Sequence, residues 1–202
     1  MKKNDPILWI GYLLALSLLA ISFWWQPIDF WMLFPLSLFI LTMVAWATTK
    51  MDISSLTSKD VTIGVVSGVA LYGVFALGKW LIEVTGLPLM DQLHTLYTLV
   101  QPTSTIHYVW LFLIVIPGEE WFWRGFLVKR LLVNHTSINA ALIGTALYAL
   151  AHVFAGSILL VLAACIAGFV WSWIYIKTRN LWIAILSHLV FDVFLLLLLP
   201  LL

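Results

Sequence analysis

Runs of about 20 apolar residues recur along the whole chain, and they limit what it can fold into more than any other feature. A helix of about 20 residues spans the roughly 30 Å hydrocarbon core of a bilayer. Of the 202 residues, 63% are hydrophobic and only 9% are charged, which leaves too little polar surface for a water-soluble domain. The sequence therefore predicts an integral membrane protein built from helices.

Seven such runs predict an all-α, polytopic transmembrane helical bundle that forms a single domain over residues 1–202. We expect the spans at residues 7–25, 30–48, 61–84, 106–128, 138–154, 158–176 and 181–199. The connection from residue 86 to residue 105 is the longest. Leucines among its polar residues predict a short interfacial helix there.

Positive charges alternate between the connections. Cytoplasmic loops of membrane proteins carry an excess of Lys and Arg, so this alternation predicts an odd number of spans and a cytoplasmic N-terminus. We expect the surrounding lipid to be a bacterial plasma membrane. The net charge of +1, without a basic stripe, argues against a nucleic-acid partner. Eight of the ten Lys and Arg residues occupy the N-terminus and every second loop: Lys2, Lys3, Lys50, Lys59, Lys129, Arg130, Lys177 and Arg179.

The fourth predicted span carries three ionisable residues within six positions, although a charge near the bilayer centre costs a few kcal/mol. Glu120 and Arg124 are four residues apart, and this order favours an ion pair on one helical face. Glu119 points about 100° away around the helix axis and has no partner in its own helix. We predict that Arg124 holds Glu120 and that Glu119 is a general base. A purely structural Glu–Arg pair between helices is the alternative.

Two further pairs lie four residues apart, each on one helical face: Tyr148 with His152, and His188 with Asp192. A lone histidine in a membrane helix is often only hydrogen-bonded to a carbonyl group, but an aspartate beside it is costly and needs a partner. Counted from the basic ends, Glu119, His152, His188 and Asp192 lie at depths of roughly 10–18 Å, with His152 deepest. We therefore expect one polar layer, reached from the cytoplasmic side.

A third pair, Lys79 and Glu83, is also four residues apart near the outer end of the third predicted span. Long charged side chains near a helix end extend toward the membrane surface. We interpret these two residues as an ion pair at that surface rather than as part of the polar layer.

Taken in order, these motifs resemble the CAAX prenyl protease and bacteriocin-processing family of intramembrane proteins, also called the Abi family. Its signature is Glu-Glu-x-x-x-Arg, then Phe-x-x-x-His, then His-x-x-x-Asn or Asp, each on its own transmembrane helix. The first motif is matched by residues 119–124, the second by 148–152 with Tyr148 in place of Phe, and the third by 188–192 in its Asp form. The resemblance covers about residues 110–193, within an expected catalytic core at 106–199.

The resemblance implies hydrolysis of a peptide bond within the membrane, without a covalent intermediate. By this resemblance, Glu119 activates the attacking water with help from His152, while His188 and Asp192 stabilise the oxyanion. An ionised Asp192 would repel an oxyanion, so it is either protonated or serves to orient His188. The implied substrate is a peptide or membrane protein. A prenylated protein is one option, and a bacteriocin leader is another.

Alternatives to this metal-free glutamate mechanism stay open. Glu119, His152 and His188 are acceptable zinc ligands, but the chain lacks the HExxH pattern, so we favour a reaction without a cofactor. A non-enzymatic bacteriocin-immunity or scaffold protein on the same fold is a second possibility. An ion- or proton-coupled transporter is a third, and it would require an inverted repeat and polar residues through the full membrane thickness, neither of which is visible.

Overall fold

The computed structural model describes residues 5–202, and over these residues it contains helices and no strands. Six helices are long and apolar enough to cross a membrane, and the helices Met90–Val100 and Thr105–Leu131, bent by 90° where they meet, count as a seventh span if they are taken together. The described residues thus contain six or seven spans, which confirms the predicted polytopic bundle. The helices are α1 (Pro6–Trp25), α2 (Phe30–Thr48), α3 (Ser58–Thr85), α4 (Met90–Val100), α5 (Thr105–Leu131), α6 (Ser137–Ala155), α7 (Ile158–Thr178) and α8 (Leu181–Leu198).

Each predicted span coincides with one of these helices, and the ends differ by only a few residues. The short helix expected in the long connection is α4, which lies across the bundle because of the sharp bend before α5. The side of the membrane on which each end lies stays a prediction. Lys2 and Lys3, on which it partly rests, lie outside the described residues.

Polar residues at the helix starts set where the spans begin. The side chain of Asp5 accepts a hydrogen bond from the N–H of Leu8 at the start of α1. Thr57 and Asp60 form a reciprocal capping box at the start of α3. Such caps satisfy backbone N–H groups that a helix leaves unpaired. In a membrane protein they fix the depth at which each span enters the bilayer.

Helix α5 is not a regular α-helix. Two π-helical segments, Leu111–Val115 and Trp121–Val128, flank the α-helical turn Ile116–Glu120. Pro117 lies in that turn and has no N–H to donate, which favours an irregular hydrogen-bonding pattern around it. Wider π-helical turns often occur at functional sites. Here Glu119 and Glu120 lie in the turn between the two π-helical segments, and Arg124 lies within the second segment.

Helix α8 lies at the centre of the part of the bundle that carries the polar layer. It packs along α3 and also contacts α5 and α7, while α6 packs along α7. The contact with α3 is close because Gly64 and Gly68 lie against Leu186, Ser187 and Val190 of α8. The hydroxyl groups of Ser67 and Ser187 also form a hydrogen bond of 2.9 Å. Small residues spaced by four are a known basis of helix packing in membranes.

We predict that Gly68→Ala destabilises the bundle, because the added Cβ would lie 2.5 Å from the carbonyl oxygen of Ser187. The expected loss is about 1–3 kcal/mol, seen as a lower midpoint of thermal unfolding in detergent. Gly73→Ala in the same helix is the matched control, since no atom lies within 4 Å of its added Cβ. Equal midpoints for the two variants would contradict the proposed close packing.

One end of the bundle, which we call the basic end, is closed by polar contacts. The loop between α2 and α3 contributes Asp52, which pairs with Lys129 and accepts a hydrogen bond of 2.8 Å from the O–H of Tyr175. Arg130 pairs with Asp5 at 2.8 Å. The side-chain amide of Asn180 donates to the carbonyl of Ser54 at 3.2 Å. These contacts tie the loop to α5, α7 and α8.

The carboxyl group of Asp52 should make the basic end sensitive to acid. Burial raises the pKa of Asp52, but hydrogen bonds from Lys129 and Tyr175 outweigh this and hold the pKa below its usual value. Asp52 therefore contributes stability above a pH of about 3.9, and this contribution is lost as the pH falls through its lower pKa in the folded protein. We expect Asp52→Asn to lower the thermal midpoint in detergent at pH 7 by roughly 2–4 °C for each kcal/mol lost.

The same variant should remove part of the decrease in stability between pH 5 and pH 3, which is measured by repeating the unfolding curves across that range. Asp91→Asn, on the exposed face of α4, is the control, because its side chain takes no part in these contacts. An Asp52→Asn protein with the wild-type midpoint and the wild-type acid profile would show that the Asp52 contacts add no stability.

Candidate active site

Helices α5, α6 and α8 bring all six predicted site residues together in the interior of the bundle. Each of the six is at most 9% exposed, although all are ionisable. A charged group in such surroundings requires a partner of opposite charge or several hydrogen bonds. The residues are Glu119, Glu120 and Arg124 from α5, His152 from α6, and His188 and Asp192 from α8.

The ion pair predicted within α5 is present and fully buried. A guanidinium nitrogen of Arg124 lies 3.0 Å from the carboxylate of Glu120, and neither side chain is exposed. Arg124 also donates to the carbonyl oxygen of Gly168 in α7, at 3.2 Å. Its guanidinium carbon lies 4.7 Å from the ring centre of Tyr148 and 5.2 Å from that of Trp171. The guanidinium group of Arg124 therefore interacts with groups from three helices, α5, α6 and α7.

His188 connects this pair to the rest of the site. Its Nδ1 lies 2.9 Å from the same oxygen of Glu120 that pairs with Arg124. Its Nε2 lies 3.5 Å from Asp192 and 3.8 Å from Glu119. The indole ring of Trp171 stacks on the imidazole ring, with centroids 3.8 Å apart. The stacking contact therefore holds the face of the His188 ring, and the carboxylates beside its two nitrogens hold its edge.

Glu119 faces two histidines and a tyrosine from neighbouring helices. The hydroxyl of Tyr148 donates to one carboxylate oxygen at 3.1 Å. Nε2 of His152 lies 3.7 Å from the other oxygen, and Nε2 of His188 lies 3.8 Å from the first. The two imidazole distances exceed that of a direct hydrogen bond. Glu119 is thus surrounded by polar groups without being held by an arginine.

The position of His152 follows from the way α6 ends. The α-helical part stops at Ala151, and a 3₁₀ turn from His152 to Ala155 leads to Gly156, whose φ of +67° suits glycine. In this turn Nδ1 of His152 lies 2.8 Å from the carbonyl oxygen of Tyr148. A carbonyl oxygen only accepts, so Nδ1 carries the proton, and Nε2 is directed toward Glu119.

The sequence interpretation missed the contribution of two aromatic residues. In the sequence motif Tyr148 is only the residue in place of phenylalanine, whereas in the structure its hydroxyl is a hydrogen-bond donor to Glu119. A buried phenol four residues before a buried histidine was the available signal, because a phenolic O–H needs a partner. Trp171 was not expected at all. Nothing in the apolar sequence of α7 distinguishes it from the other tryptophans.

A cavity of about 440 Å³ leads to the site, and Glu119, Tyr148, His152, His188 and Asp192 lie on its wall. Its other lining residues are mainly apolar and come from α1, α2, α3, α4, α5, α7 and α8. In α1, α2, α3, α5 and α8 they lie in the half that is farther from the basic end, as do those of α7 apart from Trp171. The sequence predicts access from the basic end, whereas the cavity lies mainly on the other side of the site residues. We call the opposite end, with the loops at residues 26–29, 86–89, 101–104 and 156–157, the cavity end.

Lys79 and Glu83 form the ion pair that the sequence predicted, at 3.2 Å. Lys79 also lies on the wall of the cavity.

Among residues 5–202, no group of three or more His, Cys, Asp or Glu side chains has an arrangement that could hold a metal ion. The residues considered as possible zinc ligands, Glu119, His152 and His188, do lie near one another, but not as a ligand set. We therefore assign no reaction step to a metal, and the metal-free reaction remains a prediction.

The fold and the site define an integral membrane protein with a buried cluster of carboxylate and imidazole groups beside an internal cavity. The family model described as Type II CAAX prenyl endopeptidase Rce1-like matches residues 101–194. This match confirms the resemblance seen in the sequence motifs. The matched segment begins before α5, ends two residues after Asp192, and so contains all six site residues. No curated protein and no solved structure matches the chain.

We predict that Arg124→Met strongly destabilises the protein, because the carboxylate of Glu120 would remain fully buried without its cation. Breaking a buried ion pair in this way costs about 3–5 kcal/mol. The measurement is the yield of monodisperse protein and its thermal midpoint in detergent. The double variant Glu120→Gln/Arg124→Met carries neither charge and should recover part of the loss. A double variant no more stable than Arg124→Met would exclude charge imbalance as the cause.

Proposed function

We propose that this protein is an intramembrane endopeptidase in which Glu119 activates a water molecule for attack on a peptide carbonyl. The observation that supports this most directly is the position of Glu119 on the cavity wall, between the Nε2 atoms of His152 and His188. Its neighbour Glu120 is held by Arg124 and has no contact with the cavity. The two adjacent carboxylates thus have different surroundings and suit different roles.

In the proposed reaction, water enters from the cavity and donates a proton to Glu119 as its oxygen attacks the carbonyl carbon. The carbonyl oxygen becomes negative, and a tetrahedral intermediate forms. When the C–N bond breaks, Glu119 gives the proton to the leaving nitrogen, which yields a carboxylic acid and an amine. No covalent bond to the protein is needed.

His152 is suited to position the attacking water. Because Nδ1 donates to the carbonyl of Tyr148, the lone pair of Nε2 points toward the carboxylate of Glu119. A water molecule that donates one hydrogen to Glu119 would have its second hydrogen available for this nitrogen. Two acceptors on one water direct its remaining lone pair toward the substrate.

His188 is suited to stabilise the negative oxygen. Both of its ring nitrogens face carboxylates, an arrangement in which an imidazolium cation has an acceptor for each N–H. Of the two roles considered for Asp192, its position 3.5 Å from Nε2 of His188 supports the orientation of that ring rather than direct contact with an oxyanion. The charges of Glu120 and Asp192 would then favour the cation that the oxyanion needs.

The apolar walls of the cavity suit a substrate segment with apolar side chains or an attached lipid chain. A prenylated protein is one member of this class. The closed basic end disfavours a transporter, because the contacts of Asp52 and Arg130 seal the side of the bundle opposite to the cavity. A transport path would need polar groups that continue through the whole membrane.

The decisive variant is Glu119→Gln, which keeps the shape of the side chain but removes its ability to accept a proton. We expect cleavage to fall by about 10²–10⁴-fold. Cells producing the wild-type protein or the variant are compared by mass spectrometry of newly formed peptide termini in their membranes. Glu83→Gln is the matched control, since the same change is made at an exposed position outside the cavity.

Termini that appear with the wild-type protein and with Glu83→Gln but not with Glu119→Gln would support the proposal. An unchanged set of termini in Glu119→Gln cells would refute it. If those cells also retain a bacteriocin-resistance phenotype, the non-enzymatic immunity function is favoured instead. Purified active protein treated with a chelator tests the metal question in the same assay. Full activity is expected, and a loss that zinc restores would replace the metal-free mechanism.

A further inference from the structure

The two ends of the bundle differ in charge. Lysines and arginines in the loops and at the helix ends beside them gather at the basic end, at Lys50, Lys59, Lys129, Arg130, Lys177 and Arg179. Among the described residues, the loops of the cavity end contain no lysine or arginine. They and the helix ends beside them instead carry Asp29, Glu83 and Asp91, with Lys79 in the ion pair to Glu83. This asymmetry predicts how the protein is oriented in a membrane, because loops rich in Lys and Arg remain in the cytoplasm.

The two ends also differ in access to the site. At the basic end the loop from residue 49 to residue 57 is fixed by Asp52, Ser54 and their partners. A shallow depression there is lined by Ile53, Ser54, Ser55, Leu56 and Trp182, and no site residue reaches it. The cavity that contains the site residues extends toward the other end. The cavity and the positively charged residues therefore lie at opposite ends of the bundle.

From these two observations we infer that the catalytic cavity opens toward the non-cytoplasmic side of the membrane. What this inference says about the substrate rests on the proposed peptidase function. The orientation of the cavity does not depend on catalysis. The substrate bond is then presented from the non-cytoplasmic face, or from the leaflet beside it. A soluble cytoplasmic tail cannot reach Glu119 without crossing the closed basic end.

Helix α4 adds detail to the kind of substrate that this opening admits. Leu93, Leu96 and Tyr97 of α4 line the cavity together with Leu89 just before the helix, and α4 meets α5 at an angle of 90°. The hydroxyl of Tyr97 donates to the carbonyl of Leu195 in α8 at 3.0 Å, which holds α4 over the cavity. The mouth therefore lies at the level of an interfacial helix. It fits an apolar peptide segment at the non-cytoplasmic membrane surface, such as the membrane-proximal part of an exported or membrane-anchored chain.

The orientation is tested by cysteine labelling in intact cells. The single native cysteine is removed by Cys165→Ala. Leu87→Cys then marks the cavity end, and Val133→Cys marks the basic end; the native residues are 50% and 77% exposed. A membrane-impermeant maleimide is added before or after permeabilisation. We expect at least tenfold more labelling of Leu87→Cys than of Val133→Cys in intact cells, and equal labelling after permeabilisation.

Preferential labelling of Val133→Cys in intact cells would overturn the inference. Equal labelling of both positions in intact cells would overturn it as well, because a single orientation is required. Both outcomes are independent of enzymatic activity, so they leave the proposed peptidase function standing.

The substrate side is tested by the location of the cleaved bonds in the comparison of wild-type protein with Glu119→Gln. We expect the Glu119-dependent termini to lie in non-cytoplasmic segments. Termini confined to cytoplasmic segments would refute the inference while supporting peptidase activity. If no Glu119-dependent termini appear while labelling shows the expected orientation, the peptidase function fails and the orientation of the cavity holds.

Discussion

The fully buried ion pair between Glu120 and Arg124 is the interaction on which the rest of the site depends. Two charges without any exposure inside an apolar bundle are tolerated only because each has a partner. Arg124 reaches α7 through the carbonyl of Gly168, and Glu120 reaches α8 through His188. One salt bridge within a single helix thus sets the relative positions of three helices. Glu119, one residue earlier, is left facing the cavity.

Much of this arrangement was predictable from the sequence, because membrane burial makes ionisable residues conspicuous. The apolar runs gave the spans to within a few residues, and the spacing of Glu120 and Arg124 gave their pair. The partners of Glu119 and the direction of access were not predictable. They depend on the π-helical turns of α5 and the bend before it, which no pattern of apolar residues reveals. The packing of α3 through Gly64 and Gly68 was readable as a spacing of small residues but was overlooked.

The depth of His152 in the membrane was also not predictable from the sequence. Counting residues from the basic ends placed His152 deeper than its partners, which made it the weakest member of the expected layer. In the structure it does join the layer, since α6 ends there in a 3₁₀ turn that brings its ring to 3.7 Å from Glu119. A linear count treats every span as a straight rod along the membrane normal, whereas tilts and irregular ends shift side chains by several ångströms.

The cavity draws its catalytic groups and most of its walls from different helices. Glu119, His152 and His188 come from α5, α6 and α8, whereas much of the apolar surface belongs to α3, α4 and α7. Substitutions on that apolar surface would change the shape offered to a substrate without moving a charged group. Chemistry and selectivity can therefore diverge independently during evolution. Proteins that carry the same three motifs on this scaffold need not cleave the same targets.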